Sequence, residues 1–319
     1  MPTIRQHYVP ACYLARFTLQ GGRDSPFFVH FLNGEIRKQT PNSIGFEKHY
    51  HTIQIPGFAP DHMESIFQRI EDPACSLLKT LSTNPGLSLA ESQKAILLMF
   101  FSVQAARVPQ ARDKHAKLML DCARRFMEEL AHSSQFFDET MATAVRHGIV
   151  IDPVSQESLR DAVDGGHIFP QVDNNQAAIG IFRLAEAILD AVDGMHYTLW
   201  YSDGPSSFVC SDYPVGLFYS LSTKDGLVDP AGTVPPIVTM LTDTIYMPLA
   251  HNAALAIHRH SNLPTAQRAN ERMVAIVNTI TISHAQRFIC SPFEDFICVL
   301  PDRHIGNARQ ALETLAALA

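Results

Sequence analysis

The sequence predicts an α+β fold: a helix-rich core with a small N-terminal β-hairpin unit and a mixed, β-rich C-terminal part. Strand-like runs come first along the chain, and a long series of helix-like segments follows. After about residue 195, short β-like runs are separated by turns rich in Gly, Pro and Asp. Strands and helices segregated in this way are typical of α+β folds rather than of doubly wound sheets.

The N-terminal unit is predicted from one turn signal. The run FFVHFL, the pair Asn33-Gly34 and the run EIRKQT follow one another. Asn-Gly favours the positive φ angles of a two-residue type I′ turn, so this stretch is predicted to be a β-hairpin. A further strand is expected over residues 49–55, where it meets a Pro-Gly pair.

Two helices are predicted next, each with a start signal. Asp61 can cap free backbone N–H groups, and Glu64 three residues later completes a capping-box pattern. Pro73 is expected to kink this helix. The same pattern at Ser88 begins a helix that runs through AILLMFFSVQAARV and stops near Pro109. Because this second helix is apolar around most of its circumference, we expect it deep in the core.

The rest of the chain is predicted from periodicity and turn residues. Further helices are expected over residues 110–146 with a break near 133, over 174–193, over 265–282 and after 304, and strands at 197–201, 208–211, 237–241, 253–257 and 296–300. We expect residues 1–319 to form a single compact domain. The alternative is a boundary near residue 195, with the hairpin and helical core in 1–194 and the mixed α+β part in 195–319.

The composition sets limits on function and location. Hydrophobic residues make up 46% of the chain and charged residues 18%, so a sizeable core can form. A net charge of −7 argues against general nucleic-acid binding, which needs a basic face. No run approaches the roughly 18 apolar residues that span a bilayer, and the N-terminus lacks an apolar signal segment, so no membrane association is expected. The six cysteines are scattered without a CxxC pair, which indicates reduced thiols in a cytoplasmic protein.

The N-terminal segment is dense in rings and hydrogen-bonding groups, beginning with His7 and Tyr8. Terminal segments tolerate almost any sequence unless they are tied into the structure. Because an imidazole has an unperturbed pKa near neutrality, His7 is the candidate general acid or base, and Tyr8 is a candidate substrate contact. The alternative is a docked segment whose aromatic rings fill the core and whose His7 makes one hydrogen bond.

The apolar helix carries two polar residues, Gln104 and Arg107, which stand three positions apart and share one face. A buried arginine needs a carboxylate partner. Glu64 and Glu71 lie seven residues apart on one side of the preceding helix. Since Glu64 is already explained as a cap, Glu71 is the predicted partner. The sequence leaves open whether Arg107 forms a structural ion pair or faces a ligand.

Two weaker signals complete the set. Ser211 and Asp212 close an apolar run, and a carboxylate at a strand end suits catalysis or binding, although it also suits an Asx-turn before proline. His49 and His51 would share one face of the predicted strand, a weak signal for a metal pair. No residue is assigned as a metal ligand, and the cofactor is left open, with one divalent metal as the alternative to a metal-free site. No P-loop, GxGxxG or GxSxG motif occurs.

Six short motifs follow one another along the chain: HYVPACYLARF, EKHY, ESIFQRIE, QAARVP, CSDYP, and MPLA followed by Asn278. In this order they resemble the motifs of the HYVP family, a large microbial family of uncharacterised proteins. The resemblance covers nearly the whole chain. The sequence departs from the family at Ala11, Val108 and Tyr213, where the family has Gln, Thr or Ser, and Asn. The resemblance supports a shared fold and site, with Asn278 as a further site residue, and implies no activity.

Two functions are therefore predicted as alternatives. The first is a hydrolase that acts on an anionic substrate bearing phosphate or carboxylate, in a phosphodiesterase-like or nuclease-like way. In this hypothesis the partner is a small anionic substrate or a short nucleic acid, and Arg107 offers a bidentate fork to the anion. Asp212 orients His7 or binds a metal. The catalytic residues would be His7, Asp212 and Glu71, and the substrate-binding residues Tyr8, Gln104, Arg107, Ser211 and Asn278.

The second hypothesis is a non-catalytic binding or interaction module. In this case the same polar residues form a buried network that locks the N-terminal segment onto the helical core. Such networks can specify a unique packing without performing chemistry. The sequence does not predict the oligomeric state.

Overall fold

A computed structural model describes residues 4–84, 86–150, 154–218, 244–259 and 263–318 of the chain. The strand expected at 237–241 lies outside the described residues. The α-helices are α1 (Ala11–Leu14), α2 (His62–Thr83), α3 (Glu91–Arg107), α4 (Pro109–His132), α5 (Ser134–Arg146), α6 (Gln156–Asp164), α7 (Asn174–Val192), α8 (Glu271–His284) and α9 (Ala308–Leu318).

The strands are short and lie before and after the helical part. They are β1 (Arg5–His7), β2 (Phe27–Phe31), β3 (Ile36–Gln39), β4 (Phe46–Lys48), β5 (His196–Tyr201), β6 (Cys210–Ser211), β7 (Gly216–Phe218), β8 (Thr244–Ala250), β9 (Ala253–His258), β10 (Ala266–Arg268), β11 (Phe288–Ser291), β12 (Ile297–Val299) and β13 (Ile305–Asn307). This segregation confirms the predicted α+β class.

The described strands form four sheets. The largest has the order β10-β5-β9-β8-β7, with β10 and β5 parallel and the other neighbours antiparallel. An antiparallel sheet has the order β3-β2-β11-β6. The pairs β1–β4 and β12–β13 are antiparallel as well. The N-terminal hairpin is therefore not a separate unit, because β2 also pairs with β11 from the C-terminal part.

The hairpin forms as predicted, but with a different turn. The Gly34 N–H donates to the Phe31 carbonyl at 2.9 Å, and the Phe31 N–H donates to the Glu35 carbonyl at 2.8 Å. Of the Asn-Gly pair only Gly34 has a positive φ, at +87°, whereas a type I′ turn needs positive values at both positions. The connection is thus a three-residue loop with a glycine in the left-handed region.

The predictions of one strand and of two helix starts are wrong. Strand β4 ends at Lys48, and His49 has a φ of +55°, which turns the chain away from the strand expected over 49–55. The helix α2 begins without a capping hydrogen bond from the Asp61 side chain, and α3 begins after Ala90 rather than at Ser88. The carboxylate of Glu64 is used elsewhere in the structure, so the capping box does not form.

Most of the helical middle agrees with the sequence prediction. Every residue of α3 from Phe100 to Arg107 is buried, and the helix ends before Pro109. Ser133 separates α4 from α5, as expected. Helix α2 continues through Pro73. Helix α6 had no counterpart in the prediction.

One hydrophobic cluster extends across the position where a boundary was considered. It includes Tyr13 and Phe100 from the first part of the chain, and Leu199, Met247 and Phe288 from the part after residue 195. Such a cluster favours a shared core. The single-domain organisation remains a prediction.

A disulfide joins Cys12 of α1 to Cys75 of α2, with the two Cα atoms 6.0 Å apart. The expectation that all six cysteines are reduced is therefore wrong. The two residues are 63 positions apart, and distance along the chain does not report distance in the fold. Because disulfides persist mainly in oxidising compartments, this bond removes the thiol-based ground for a cytoplasmic location.

We expect the variant Cys75→Ser to be less stable than the wild type by about 4 kcal/mol, because the disulfide closes a loop of 63 residues and restricts the unfolded chain. Urea unfolding with and without a reductant would measure this difference. Cys122→Ser is the matched control, since Cys122 is exposed and free. Equal midpoints for Cys75→Ser and wild type under oxidising conditions would contradict the prediction.

A second prediction concerns His30, which is fully buried in β2 and has no hydrogen-bond partner at either ring nitrogen among the described residues. Burial lowers its pKa to about 4, and Asp295 partly opposes this shift. Between pH 6.5 and 4 the unfolded chain therefore binds a proton that the folded protein does not, so stability falls as the pH falls.

This single histidine should make the wild type about 2 kcal/mol less stable at pH 5 than at pH 7. In His30→Leu that part of the pH dependence should be absent. Urea unfolding of both proteins at the two pH values gives the difference. An identical pH dependence in the variant and the wild type would show that His30 is not held neutral.

Candidate functional site

The fold brings Arg107, Glu71 and His7 together from α3, α2 and β1. The Arg107 side chain is 1% exposed, and its Nη1 lies 2.6 Å from Glu71 Oε1. The predicted pairing of Arg107 with Glu71 is confirmed. The Arg107 guanidinium also lies over the Phe67 ring, 5.2 Å from its centroid. Since Phe67 comes from α2 as well, that helix supplies both a charge and a flat surface to the arginine.

The Tyr8 carbonyl oxygen accepts two hydrogen bonds, from Arg107 Nε at 2.9 Å and from Gln104 Nε2 at 2.9 Å. The shared face of Gln104 and Arg107 is thus used to bind the backbone that follows His7. The Tyr8 side chain is buried, and its pKa is raised by burial and by the nearby Asp212 carboxylate. Tyr8 therefore contributes its backbone carbonyl, rather than its side chain, to the contacts with Gln104 and Arg107.

His7 has the properties of a neutral base. Its pKa is lowered by burial and then by the Arg107 charge, while Glu71 and Glu64 act in the opposite direction. Its Nε2 is buried and has no hydrogen-bond partner among the described residues. The hydrogen bond between the ring and the Pro41 backbone therefore uses Nδ1. A donated Nδ1–H leaves the lone pair on Nε2, so the tautomer is set by the backbone.

Glu64 and His51 belong to the same cluster, and sequence reasoning missed both roles. His51 Nδ1 lies 2.7 Å from Glu64 Oε1, and the His51 ring packs 4.5 Å from the Phe67 ring. Burial lowers the pKa of His51, and Arg107 and Arg112 lower it further. The signal that could have found Glu64 was its seven-residue spacing from Glu71, which places both carboxylates on one side of α2.

We call the set His7, His51, Glu64, Glu71, Gln104 and Arg107 the Arg107 cluster. Four of its polar atoms are buried without a hydrogen-bond partner among the described residues: His7 Nε2, His51 Nε2, Gln104 Oε1 and Arg107 Nη2. Buried polar groups are nearly always hydrogen-bonded, so these four atoms call for a partner outside the described protein groups, such as water or a bound molecule. The Glu64 and Glu71 side chains are 28% and 23% exposed, and they form the side of the cluster that meets solvent.

The other predicted residues form their hydrogen bonds with other parts of the chain. Asp212 Oδ1 accepts from the Gln286 N–H at 2.9 Å, and backbone N–H groups of 286–288 oppose the rise in its pKa that burial causes. Ser211 Oγ donates to the Tyr213 carbonyl and accepts from the Tyr213 N–H, as in a local turn. The expected contact between Asp212 and His7 is not among the interactions of the described residues.

Asn278 is fully buried in α8 and bonds only to backbone groups in the described part of the chain. Its Oδ1 accepts from the Val209 N–H at 3.0 Å. Its Nδ2 donates to the carbonyls of Ser207 and Ile297 at 3.0 and 2.9 Å. These bonds hold three segments together, so the asparagine acts as a structural clamp there.

Open space lies on the other side of Tyr8, around Arg287. This arginine pairs with Glu47 at 2.6 Å and lies 5.7 Å from the Tyr8 ring centroid. A cleft of about 530 Å³ is lined by Glu47, Arg287 and Arg112, among other residues, and a neighbouring cleft of about 300 Å³ by Asp212 and Arg287. Sequence reasoning did not single out Arg287.

The structure offers no support for the weak metal signal. His49 and His51 are not on one strand face, because the chain turns at His49. Within the described residues, no group of three His, Cys, Asp or Glu side chains is arranged to hold a metal ion. None of the described helices is both long and apolar enough to cross a bilayer.

Comparison with protein families gives one assignment. The family model described as Protein of unknown function (DUF4238) matches residues 5–292. The chain belongs to the DUF4238 family. All residues of the Arg107 cluster lie inside the matched DUF4238 region, as do Asp212 and Asn278. The expected relation to uncharacterised proteins is thus supported, and the motif-based family name is not confirmed. No curated protein and no solved structure matches this DUF4238 chain.

In this DUF4238 protein, Glu71→Ala should lower the free energy of unfolding by roughly 3 kcal/mol, because it leaves the buried Arg107 charge without its carboxylate. The double variant Glu71→Gln/Arg107→Met should be more stable than Glu71→Ala, since it removes both charges. Glu186→Gln, an exposed glutamate on α7, is the control. Urea unfolding of the four proteins measures the effect, and a Glu71→Ala variant as stable as the control would show that Arg107 does not depend on Glu71.

Proposed function

We propose that this protein is a hydrolase that uses acid–base chemistry on a small anionic substrate at the Arg107 cluster. The proposal rests mainly on one observation: His7 Nε2 and Arg107 Nη2 are both buried in this cluster without a hydrogen-bond partner among the described residues. A base with a free lone pair and a cation with a free N–H are the groups that activate a water molecule and hold an anion.

Arg107 would contact the anion through the N–H groups of Nη2. Its Nε donates to the Tyr8 carbonyl and its Nη1 donates to Glu71. A guanidinium carries five N–H groups, two of them on Nη2, so Arg107 keeps donors for the anion while both of these bonds persist. A charged hydrogen bond in a site with little water favours a phosphate or carboxylate oxygen.

His7 would act as the general base. Its lowered pKa keeps the ring neutral near pH 7, and the bond to Pro41 leaves Nε2 free to accept a proton from water. The Pro41 carbonyl takes the orienting role that the sequence analysis gave to Asp212, because a hydrogen bond at one ring nitrogen sets the tautomer and direction of the other.

The cluster favours a small substrate over a short nucleic acid. The Glu71 carboxylate lies beside the arginine on the side that meets solvent, and a polyanion would be repelled there. The net charge of −7 acts in the same direction. We therefore place a phosphorylated or carboxylated metabolite ahead of a phosphodiester polymer.

A second candidate function, a non-catalytic interaction module, is favoured by the enclosure of Arg107. The guanidinium is 1% exposed, and two of its nitrogens already bind Glu71 and Tyr8. In that case the cluster would lock β1 onto the helices. Substitution of His7 would then change stability without changing any reaction.

The test uses p-nitrophenyl phosphate, bis(p-nitrophenyl) phosphate and p-nitrophenyl acetate as probes. We expect the wild type to hydrolyse at least one of them, with a rate that falls as the pH drops through the His7 pKa, below 6.5. The variant His7→Ala should lose about 100-fold or more of this rate, because it lacks the base.

The matched control is His132→Ala, an exposed histidine on α4 that pairs with Asp164. Circular dichroism and thermal unfolding establish that both variants fold. The proposal would be contradicted if the wild type hydrolysed none of the probes, or if a folded His7→Ala variant kept the wild-type rate. Either result would favour the non-catalytic interaction module.

A further inference from the structure

The pair formed by Glu64 and His51 spans the boundary between the interior and solvent. His51 is 0% exposed and Glu64 is 28% exposed, and their Nδ1 and Oε1 atoms are 2.7 Å apart. The Glu64 carboxyl group therefore meets solvent, while its histidine partner is enclosed by protein. This is the arrangement of an acid–base group with a buried orienting partner.

His51 is fixed from several sides. Its ring lies between the rings of Tyr50 and Phe67, at 4.7 and 4.5 Å between centroids. Its backbone N–H donates to Gln6 Oε1. Because Gln6 directly precedes His7 in β1, the Glu64–His51 pair and His7 are held by the same strand.

Burial, rather than the surrounding charges, raises the pKa of Glu64. Arg107 from α3 and His7 from β1 oppose the rise, and Asp61, directly before α2, adds to it. The pKa of His51 is lowered by its burial. A carboxyl whose pKa is raised and an imidazole whose pKa is lowered can share one proton across a short hydrogen bond.

We propose that Glu64 is the catalytic acid of this site and that His51 is its positioning residue. This inference rests on the proposed hydrolase function. It takes Glu64 in place of Asp212 as a catalytic residue, because Asp212 binds backbone N–H groups elsewhere. As the water oxygen attacks the substrate, His7 Nε2 takes the proton of the water. The bond to the leaving oxygen breaks, and that oxygen takes the proton of Glu64. Transfer of the proton from His7 back to Glu64 through solvent restores the starting state.

The two carboxylates of α2 have different environments, which assigns them different roles. Glu71 lies 2.6 Å from the Arg107 guanidinium and serves as the partner of that charge. Glu64 has a neutral histidine as its hydrogen-bond partner instead. When two carboxyl groups of one site have different surroundings, one can keep its proton and act as an acid while the other stays ionised.

The experiment compares phenyl phosphate with p-nitrophenyl phosphate as substrates. Phenolate is the poorer leaving group and needs a proton donor, whereas p-nitrophenolate leaves with little help. For Glu64→Gln we expect about a 100-fold loss of kcat with phenyl phosphate and less than about a 5-fold loss with p-nitrophenyl phosphate. The control is Asp72→Asn, an exposed carboxylate of α2.

The role of His51 is tested by rescue. His51→Ala should shift the limb of the kcat–pH profile that reports the protonation of Glu64, because it removes the imidazole that shares the Glu64 proton. His51→Asn should restore part of the wild-type profile, since an asparagine amide can donate from the position of Nδ1. If both variants keep the wild-type profile, His51 has only a packing role and its assignment is overturned.

The outcomes separate this inference from the hydrolase proposal. No hydrolysis of either ester by the wild type would overturn both. Hydrolysis that depends on His7 but falls equally for both esters in Glu64→Gln would overturn only the assignment of Glu64. A carbon-13 NMR titration gives a readout without substrate: a Glu64 carboxyl that titrates at or below the pKa of an exposed glutamate would also overturn it.

Discussion

The buried guanidinium of Arg107 is the constraint on which the rest of the site depends. A charge removed from water must be paired and hydrogen-bonded, because its desolvation costs several kcal/mol, on the order of the whole stability of a domain. Glu71 supplies the charge, and the Tyr8 carbonyl accepts from Nε. The Arg107 carbonyl in turn accepts from the Tyr50 hydroxyl at 2.9 Å. The backbone and side chain of this one residue thereby join α3 to α2, to the residue that follows β1 and to the segment after β4.

The N-terminal segment is held onto the helices by covalent and non-covalent contacts at neighbouring positions. Cys75 follows Glu71 by one helical turn on α2, and Cys12 follows Tyr8 by four residues. The ion pair joins α2 to α3 and the disulfide joins α2 to α1, so both attach to the same stretch of α2. Catalytic and binding groups need such rigid support, since small displacements reduce their effect. His7 directly precedes Tyr8, whose carbonyl is bound by Arg107 and Gln104, so its backbone is held next to these bonds.

Part of the candidate site could be predicted from sequence because it follows from helix geometry and from one energetic rule. The three-residue spacing puts Gln104 and Arg107 on one face, and an arginine in an apolar helix requires a carboxylate. The cap predicted at Glu64 and the contact predicted between Asp212 and His7 are missing among the described residues for a common reason. Both carry a carboxylate beside plausible local partners, and the partner that each uses comes from a distant segment: His51 for Glu64, and the backbone around 286–288 for Asp212.

The sequence by itself determined the α+β class, the deep helix that ends before Pro109, and the break at Ser133, because periodicity, proline and capping residues act within one or two turns of chain. The tertiary structure alone decided that β11 joins the hairpin sheet, that Cys12 is bonded to Cys75, and that His51 pairs with Glu64 in the Arg107 cluster. Such contacts join residues tens to hundreds of positions apart. They leave no local pattern, because the packing of the whole core selects them.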